Sequence, residues 1–530
     1  MEGIVKANPS NFIRYTTGKQ VRLKVTRRNN RIACFSVHGN AKSHKYGLVH
    51  EVNQHFKKLR RTGLQYQSSL VVLASQQYAS WLEDEQFMSA LVEPFATAPR
   101  GSDLEGRKLP QDIHVLAAAV DGLHPLRVFG DTPHGFSFYY ANMKNTMSHM
   151  WRDKPDLPDE PKSYIGFHSG ASHFGAMVSC KLPLANTVFQ NGRQTTMFAS
   201  RWRNSGPTTG LQKMRWMEKR THNVHFWDPD NQNKYNIQSP LVPITAPRKI
   251  LAGLGNIVSL VEVGGEETPA STELEKAVNE LYVRRSKEGH TFPPGPVGVW
   301  ALVQPPGPKQ SQDLDILQEW FDLSSQTQDV HEEWELALEF KDHIRCHLQH
   351  HGRLYKILSG GGGWGKKRGL LSLDPDIAYS LSPGDEGLDS FIRSFESRND
   401  GSAEQDRSIG QDVVAPGSYI QYFITPPFSA RPKLTRASGS ALSIAFGVSE
   451  SETVEEQPLT HGSSEWTVIP QHFGAVSSLG IFIKSDGHRN GSGSKLSVPG
   501  SWFGYLKATE EDCTTKSLKA TIPPRPFKKP

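Results

Sequence analysis

"SSLVVLAS" (Ser68–Ser75) and "IHVLAAAVDGL" (Ile113–Leu123) decide the fold class. Each is a short apolar run rich in Val, Leu, Ile and Ala and bounded by polar residues, the pattern of a strand covered on both faces. Between them, from about Ser80 to Leu91, lies a helix-like segment carrying Trp81 and Phe87, and "GFSFYYA" from Gly135 supplies a third strand. Strand, helix and strand at this spacing predict an α/β unit.

Toward the N-terminus, "QVRLKVTRRNNRIACFSVHG" (Gln20–Gly39) alternates like a strand pair. Val21, Leu23 and Val25 would share one face and Arg22, Lys24 and Thr26 the other, with Asn29 and Asn30 as the hairpin turn. From Gly3 to Leu82 there are fourteen Lys or Arg and one acidic residue, Glu51. That bias suits a polyanion, an anionic lipid surface or an import signal. A hairpin would put Arg22, Lys24, Arg27 and Arg28 in position to meet phosphates. Cations on such a strand serve equally to keep an exposed edge soluble.

Toward the C-terminus, Pro155 to Lys162 reads as a linker, and "SYIGFHSG", "GAMVSCKLPLANTVFQNG" and "TTMFASRW" as strands, with a turn at Asn191 and Gly192. "ILAGLGNIVSLVEV" from Ile250 fits a helix entry or paired strands. "TPASTELEKAVNELYVRRS" is a helix with capping-box spacing at Thr272 and Glu275 and a Leu274, Val278, Leu281 stripe. Another helix, from about His331 to His350, carries Leu336, Phe340 and Ile344.

These shifts divide the chain into a basic α/β part (1–153) and a strand-rich middle (163–304) with its helix near 271–285. A helical segment with a glycine-rich loop (313–382), a polar insertion (383–414), a β-rich part (415–510) and a basic proline-rich tail (511–530) follow. The expected class is mixed α+β and strand-rich, in two or three domains. At 530 residues and 36% hydrophobic content there is room for more than one core. No run approaches the ~18 apolar residues of a membrane helix. The cysteines Cys34, Cys180, Cys346 and Cys513 are too far apart in sequence for a disulfide or zinc motif to be read. No cofactor is implied.

Four constellations invite a chemical reading. "SGGGGWGKKRG" (Ser359–Gly369) joins Gly360, Gly361, Gly362, Gly363 and Gly365 to Lys366, Lys367 and Arg368, with Trp364 as a stacking surface. A nucleotide-binding loop of this type needs a hydroxyl where Lys367 stands, which argues against triphosphate hydrolysis. Between Arg193 and Arg220 there are seven cations and one acid, Glu218. Here Arg201, Trp202, Arg203, Arg215 and Trp216 interleave guanidinium with indole, as single-stranded RNA requires and as cation–π packing on a sheet also produces. His343 and His347 are spaced for a metal on one helix face, yet they flank the apolar stripe and lack further ligands nearby, so core-edge packing is the better reading. In "SGASHFG", Ser172 precedes His173, but the second glycine comes one position too late for a nucleophile elbow.

Two resemblances accompany these motifs. "ILAGLGNIVSLVEVGGEETPASTELEKAVNELY" (Ile250–Tyr282), through Gly255, Asn256, Pro269 and Ala270, resembles FIST-type sensory domains, which implies a small signalling ligand in a pocket between two α/β halves. The stretches Arg353–Pro375 and Lys181–Arg203 are similar to fungal mitochondrial proteins needed for respiratory growth. That similarity implies the mitochondrial matrix, with cytoplasm or nucleus as alternatives, and association with RNA or the mitochondrial ribosome. The readings are therefore a non-enzymatic RNA or ribonucleoprotein binder, a small-ligand sensor, and an enzyme acting on a phosphorylated substrate through the glycine loop.

Overall fold

The computed structural model describes residues 32–40, 43–96, 112–125, 132–152, 163–169, 178–204, 210–226, 236–287, 298–307, 310–327, 329–340, 344, 347–348, 352–360, 369–375, 414–427, 443–450, 466–485 and 493–506. The strand β1 (Ala33–Gly39) is followed by α1 (Lys45–Arg61), β2 (Ser69–Ser75), a 3-10 helix over Gln76–Leu82, α2 (Glu85–Ala96), β3 (Asp112–Val120), β4 (Gly135–Ala141) and α3 (Met143–Thr146). Next come β5 (Tyr164–Ser169), β6 (Val178–Pro183), α4 (Val188–Asn191), β7 (Met197–Asn204), β8 (Leu211–Glu218), β9 (Thr221–Phe226), β10 (Asn236–Gln238) and β11 (Val242–Pro243). Then β12 (Arg248–Leu254), β13 (Ile257–Val263) and β14 (Glu266–Pro269) lead into α5 (Ala270–Lys287), β15 (Val299–Gln304), α6 (Gln310–Gln326), α7 (Val330–Glu339), β16 (Arg353–Gly360) and β17 (Leu371–Leu373). The remaining elements are β18 (Tyr419–Ile424), β19 (Ser443–Val448), β20 (Trp466–Pro470), β21 (His472–Ser477), β22 (Ile481–Ser485), β23 (Gly493–Leu496) and β24 (Trp502–Leu506). The chain is mixed α+β, and strands dominate its C-terminal part.

The two opening runs become β2 and β3, parallel neighbours with Leu70 opposite Val115, at the centre of a seven-stranded sheet ordered β20-β1-β4-β2-β3-β7-β8. One face is covered by α1, which buries Leu48, Val52 and Phe56 at successive turns, and by α2. The expected single helix from Ser80 to Leu91 is broken, because the Asp84 carboxylate accepts the Phe87 N–H at 3.0 Å and starts α2 as a new helix. The expected N-terminal hairpin is also corrected. β1 has β4 on one side and β20 on the other, with Phe35 opposite both Phe138 and Pro470, so no edge remains for a partner from Val21–Thr26. That segment, with Arg22, Lys24, Arg27 and Arg28, lies outside the described residues.

The sheet's other face shares a core with a four-stranded sheet, β10-β24-β19-β21, and a five-stranded one, β23-β22-β6-β5-β9. Phe167 and Phe446 stack at 3.6 Å at its centre. The third body is a barrel: β18, β12, β13, β17, β16 and β15 pair in turn and β15 returns to β18, all antiparallel. Closure leaves these strands no open edge. Ile250, Val258, Tyr355, Leu371, Ile420 and Tyr422 belong to its core, together with Ala270 and Leu274 of α5.

"ILAGLGNIVSLVEV" is thus a strand pair, and Gly255 takes the left-handed conformation (φ 61°) that its turn requires. Because α5 begins at Ala270, Thr272 lies inside the helix and the capping-box reading is corrected, while the Leu274 and Leu281 stripe is buried. Leu336, Phe340 and Ile344 are likewise buried, although α7 ends at Glu339 with Phe340 as its cap. A buried ion pair ties α5 to α7, with Arg285 Nε donating to Glu333 at 3.2 Å. The segments drawn from the sequence interleave in space: β20 completes the N-terminal sheet, and β18 closes the barrel begun by β12.

Candidate functional site

The Arg/Trp stretch occupies β7 and β8, the latter an edge of the seven-stranded sheet. Arg201 and Arg203 both bind Asp112 of β3, each through Nε at 2.7 Å. The hydrogen bonds from Arg203 and then Arg201 hold the Asp112 carboxyl below its usual range. Arg193 lies between Glu83 and Glu218, each at 2.6 Å, and Lys213 pairs with Glu85. Trp202 corrects the stacking reading. It faces the helical side, is 2% exposed, and donates to Ser200 Oγ at 2.8 Å, so no base can reach it. Trp216 is 46% exposed against Phe198, and Arg215 sits over Trp151 at 4.7 Å. The β7–β8 register slips between Arg201 and Trp202, so β8 bulges near Met214. A bulge flanked by cations is how exposed edges resist pairing with another chain.

The glycine stretch is flanked by the paired ends of β16 and β17, Gly360 opposite Leu371. A strand follows it rather than a helix whose N-terminal N–H groups could finish a phosphate cradle. Residues 361–368, including Gly361, Gly362, Gly363, Trp364, Gly365, Lys366, Lys367 and Arg368, lie outside the described residues, as do Ser172, His173 and His343. His347 is buried, between Ile344 and Leu348 in sequence, as expected of a packed histidine. Among the described residues no group of three His, Cys, Asp or Glu side chains has metal-site spacing, and no helix is long and apolar enough to cross a membrane.

A different constellation forms where two parallel strand pairs from facing sheets end together. β2 and β3 end at Ser75 and Val120, β19 and β21 at Val448 and Ser477. The ends are joined by the Val476 N–H to the Gly122 carbonyl at 2.9 Å, and by Ser478, whose N–H and hydroxyl reach the Asp121 carboxylate at 2.7 and 2.8 Å. Burial pushes the Asp121 carboxyl up. Between these ends lies a narrow cleft of about 10 Å³, room for about one water, lined by His124, Pro125, Thr132, Val448, Val476 and Ser501, with half-buried Glu450 at its border. Gly447 and Gly474 make room for His124: a Cβ on Gly474 would approach the His124 Cβ to 3.0 Å.

Behind His124 a row of imidazoles crosses between the sheets, from buried His124 to buried His472 and from His472 to half-buried His38, each 6.3 Å between ring centres. Burial pushes the pKa of both His38 and His124 down to about 4, so both are neutral at pH 7. Ser36 Oγ lies 2.8 Å from His472 Nδ1 and 2.8 Å from Ser137 Oγ, and donates to the His472 carbonyl at 3.2 Å. The Gly474 N–H donates to Ser137 Oγ at 3.2 Å. With one proton per hydroxyl, these contacts are all met if Ser137 and His472 Nδ1–H both donate to Ser36. His472 then cannot take the Ser36 proton, and Ser36 is fully buried. The pair joins two sheets and is not a nucleophile with its base.

Sequence reading passed over this region because Ser36 and His472 are 436 residues apart. The signal present was a polar and glycine interruption, "PQHFGA", inside an otherwise β-branched C-terminal run. Compared with known proteins, the chain matches no family model, no curated protein and no solved structure.

Proposed function

We propose that the protein binds a small molecule without transforming it, in the cleft floored by His124, as a sensory or carrier module of the kind the FIST-type resemblance implies. The observation that supports this is the convergence of two parallel strand pairs on one polar cleft floored by the neutral, buried imidazole of His124. Carboxyl ends of parallel strands are where α/β proteins most often bind ligands, and grouped side chains with shifted proton affinity favour a site there. The absence of an accessible nucleophile–base pair in this row supports binding over turnover.

A thermal-shift screen of metabolites tests the reading. A cleft ligand should raise the unfolding temperature in proportion to the logarithm of its concentration, and His124→Phe should remove that response. A screen in which His124→Phe and the wild-type chain respond alike to every compound would sink it.

A second reading has one observation in its favour. Trp216 is exposed on β8, with Arg215 exposed on the strand's opposite face, and a stacking indole at a cationic edge suits a single-stranded polyanion, as a mitochondrial RNA-associated protein would need. On this reading RNA affinity falls steeply with added salt, and Trp216→Ala weakens it. Salt-independent or absent binding removes it.

A further inference from the structure

The face of β7 and β8 away from α1 and α2 collects more positive charge than it balances. Met197 and Ala199 of β7 belong to the shared core, and the same alternation puts Arg201 and Arg203 on that face beyond it. In register, His114 of β3, Arg201 and Arg215 of β8 form one row across three strands, and Asp112, Arg203 and Gln212 form the next. Asp112 accepts from Nε and Nη2 of both Arg201 and Arg203, while Nη1 of each has no acceptor among the described residues. Arg215 lies over the Trp151 ring and meets no carboxylate among the described residues.

Trp151 ties the first row together. Its Nε1–H donates to His114 Nδ1 at 2.9 Å, so the proton of the neutral imidazole is on Nε2. Burial and then the Arg201 charge push the His114 pKa down, which keeps the ring neutral at pH 7. An N–H donor therefore stands in register beside Arg201. Three guanidiniums against one carboxylate leave two positive charges in excess. Arg201 and Arg215 are directly opposite, a placement of like charges that costs stability and that an anion would offset. Arg201 and Arg203 are partly exposed and Arg215 is exposed, so an ion from solution reaches all three.

A carboxylate or a phosphodiester brings one charge and leaves the other unmet. A phosphate monoester brings about −1.5 to −2 at pH 7 with three acceptor oxygens, and guanidinium forks match its geometry. We infer that the row of His114, Arg201 and Arg215 binds a phosphate monoester, its oxygens accepting from both arginines and from His114 Nε2–H, with Trp151 holding Arg215 in place. The site is independent of the cleft. The ion meets side chains alone and leaves the β8 amides to solvent, which sets it apart from a nucleic-acid strand lying along the edge.

The test uses the full chain labelled with 5-fluorotryptophan, the Trp151 fluorine resonance being assigned by its loss in Trp151→Phe. Methyl phosphate should shift that resonance saturably at pH 7.5, with half-saturation at least tenfold below that of dimethyl phosphate, which has the same core and one charge. Arg201→Gln and Arg215→Gln should each weaken the response at least tenfold, and Lys213→Gln, on the other face of β8, by less than twofold. Uridine 5′-monophosphate and a doubly capped phosphoserine carry the same group and should give the same shift; whichever saturates lower names its source. Dimethyl phosphate acting at equal or lower concentration overturns the monoester assignment in favour of a diester backbone. Silence from methyl phosphate, or a response that both arginine variants keep, overturns the site itself.

Discussion

The β7–β8 edge and the seam behind the cleft use polar side chains in opposite ways. At the edge, Arg193, Arg201, Arg203 and Lys213 meet carboxylates in partial contact with water. In the seam, Ser36, Ser137 and His472 are fully buried, and each hydrogen bond is held by backbone geometry from two sheets. Exposed pairs are screened and contribute little, whereas a sealed polar group must keep its partner or carry its desolvation cost. A charge-rich stretch can therefore matter less to stability than a quiet serine.

Substitutions at graded depth sharpen this contrast. Glu333→Gln, which removes the negative charge that Arg285 meets in the interior, is expected to lower the free energy of unfolding by about 3–5 kcal/mol in urea denaturation. A loss under about 1 kcal/mol would mean that water reaches this pair as it reaches the edge.

Acid should come next. His38 and His124 have folded pKa values near 4 against 6.5 in the unfolded chain. The unfolded state therefore takes up protons first as pH falls. Stability is whole above pH 6.5, drops through the interval down to about 4, and levels below it, by about 3 kcal/mol per histidine at most. Asp121, its carboxyl pushed up by burial, acts in the opposite sense at the acid end. Melting temperature followed from pH 7 to 4 reads the slope, which His124→Phe should reduce; an unchanged slope contradicts the burial argument for this imidazole.

Ser36→Ala, which leaves His472 Nδ1–H and the Ser137 hydroxyl without their acceptor, should cost about 1–3 kcal/mol by the same urea assay. The smallest effect belongs to the edge. Lys213→Ala should change stability by less than about 1 kcal/mol, and a larger loss would show the edge pairs to be structural after all.

Much of the architecture was legible in the chain because burial leaves a periodic trace. β2 and β3 are apolar on both faces since helices cover one side and a second core the other. The α5 stripe of Leu274 and Leu281 follows helical spacing. The false N-terminal hairpin shows where local pattern stops: Asn29 and Asn30 offer a turn, but β1 finds its neighbours at Gly135–Ala141 and Trp466–Pro470, a distant pairing no local alternation encodes. The site was illegible for the same reason. Trp202 and Trp216 look alike in sequence and lie on the same face of the sheet, and what buries one and exposes the other is that β7 is an interior strand and β8 the edge. His124, His472 and Ser36 carry no spacing motif, because their meeting depends on strands from three distant parts of the chain.

Hydrogen–deuterium exchange of the full chain, with a small-molecule extract and separately with single-stranded RNA, weighs the cleft against the edge in one measurement. The cleft account predicts that the extract slows exchange across residues 120–125, 443–450 and 473–479 and leaves 211–218 unchanged. Protection confined to 211–218, appearing only with RNA, would contradict it.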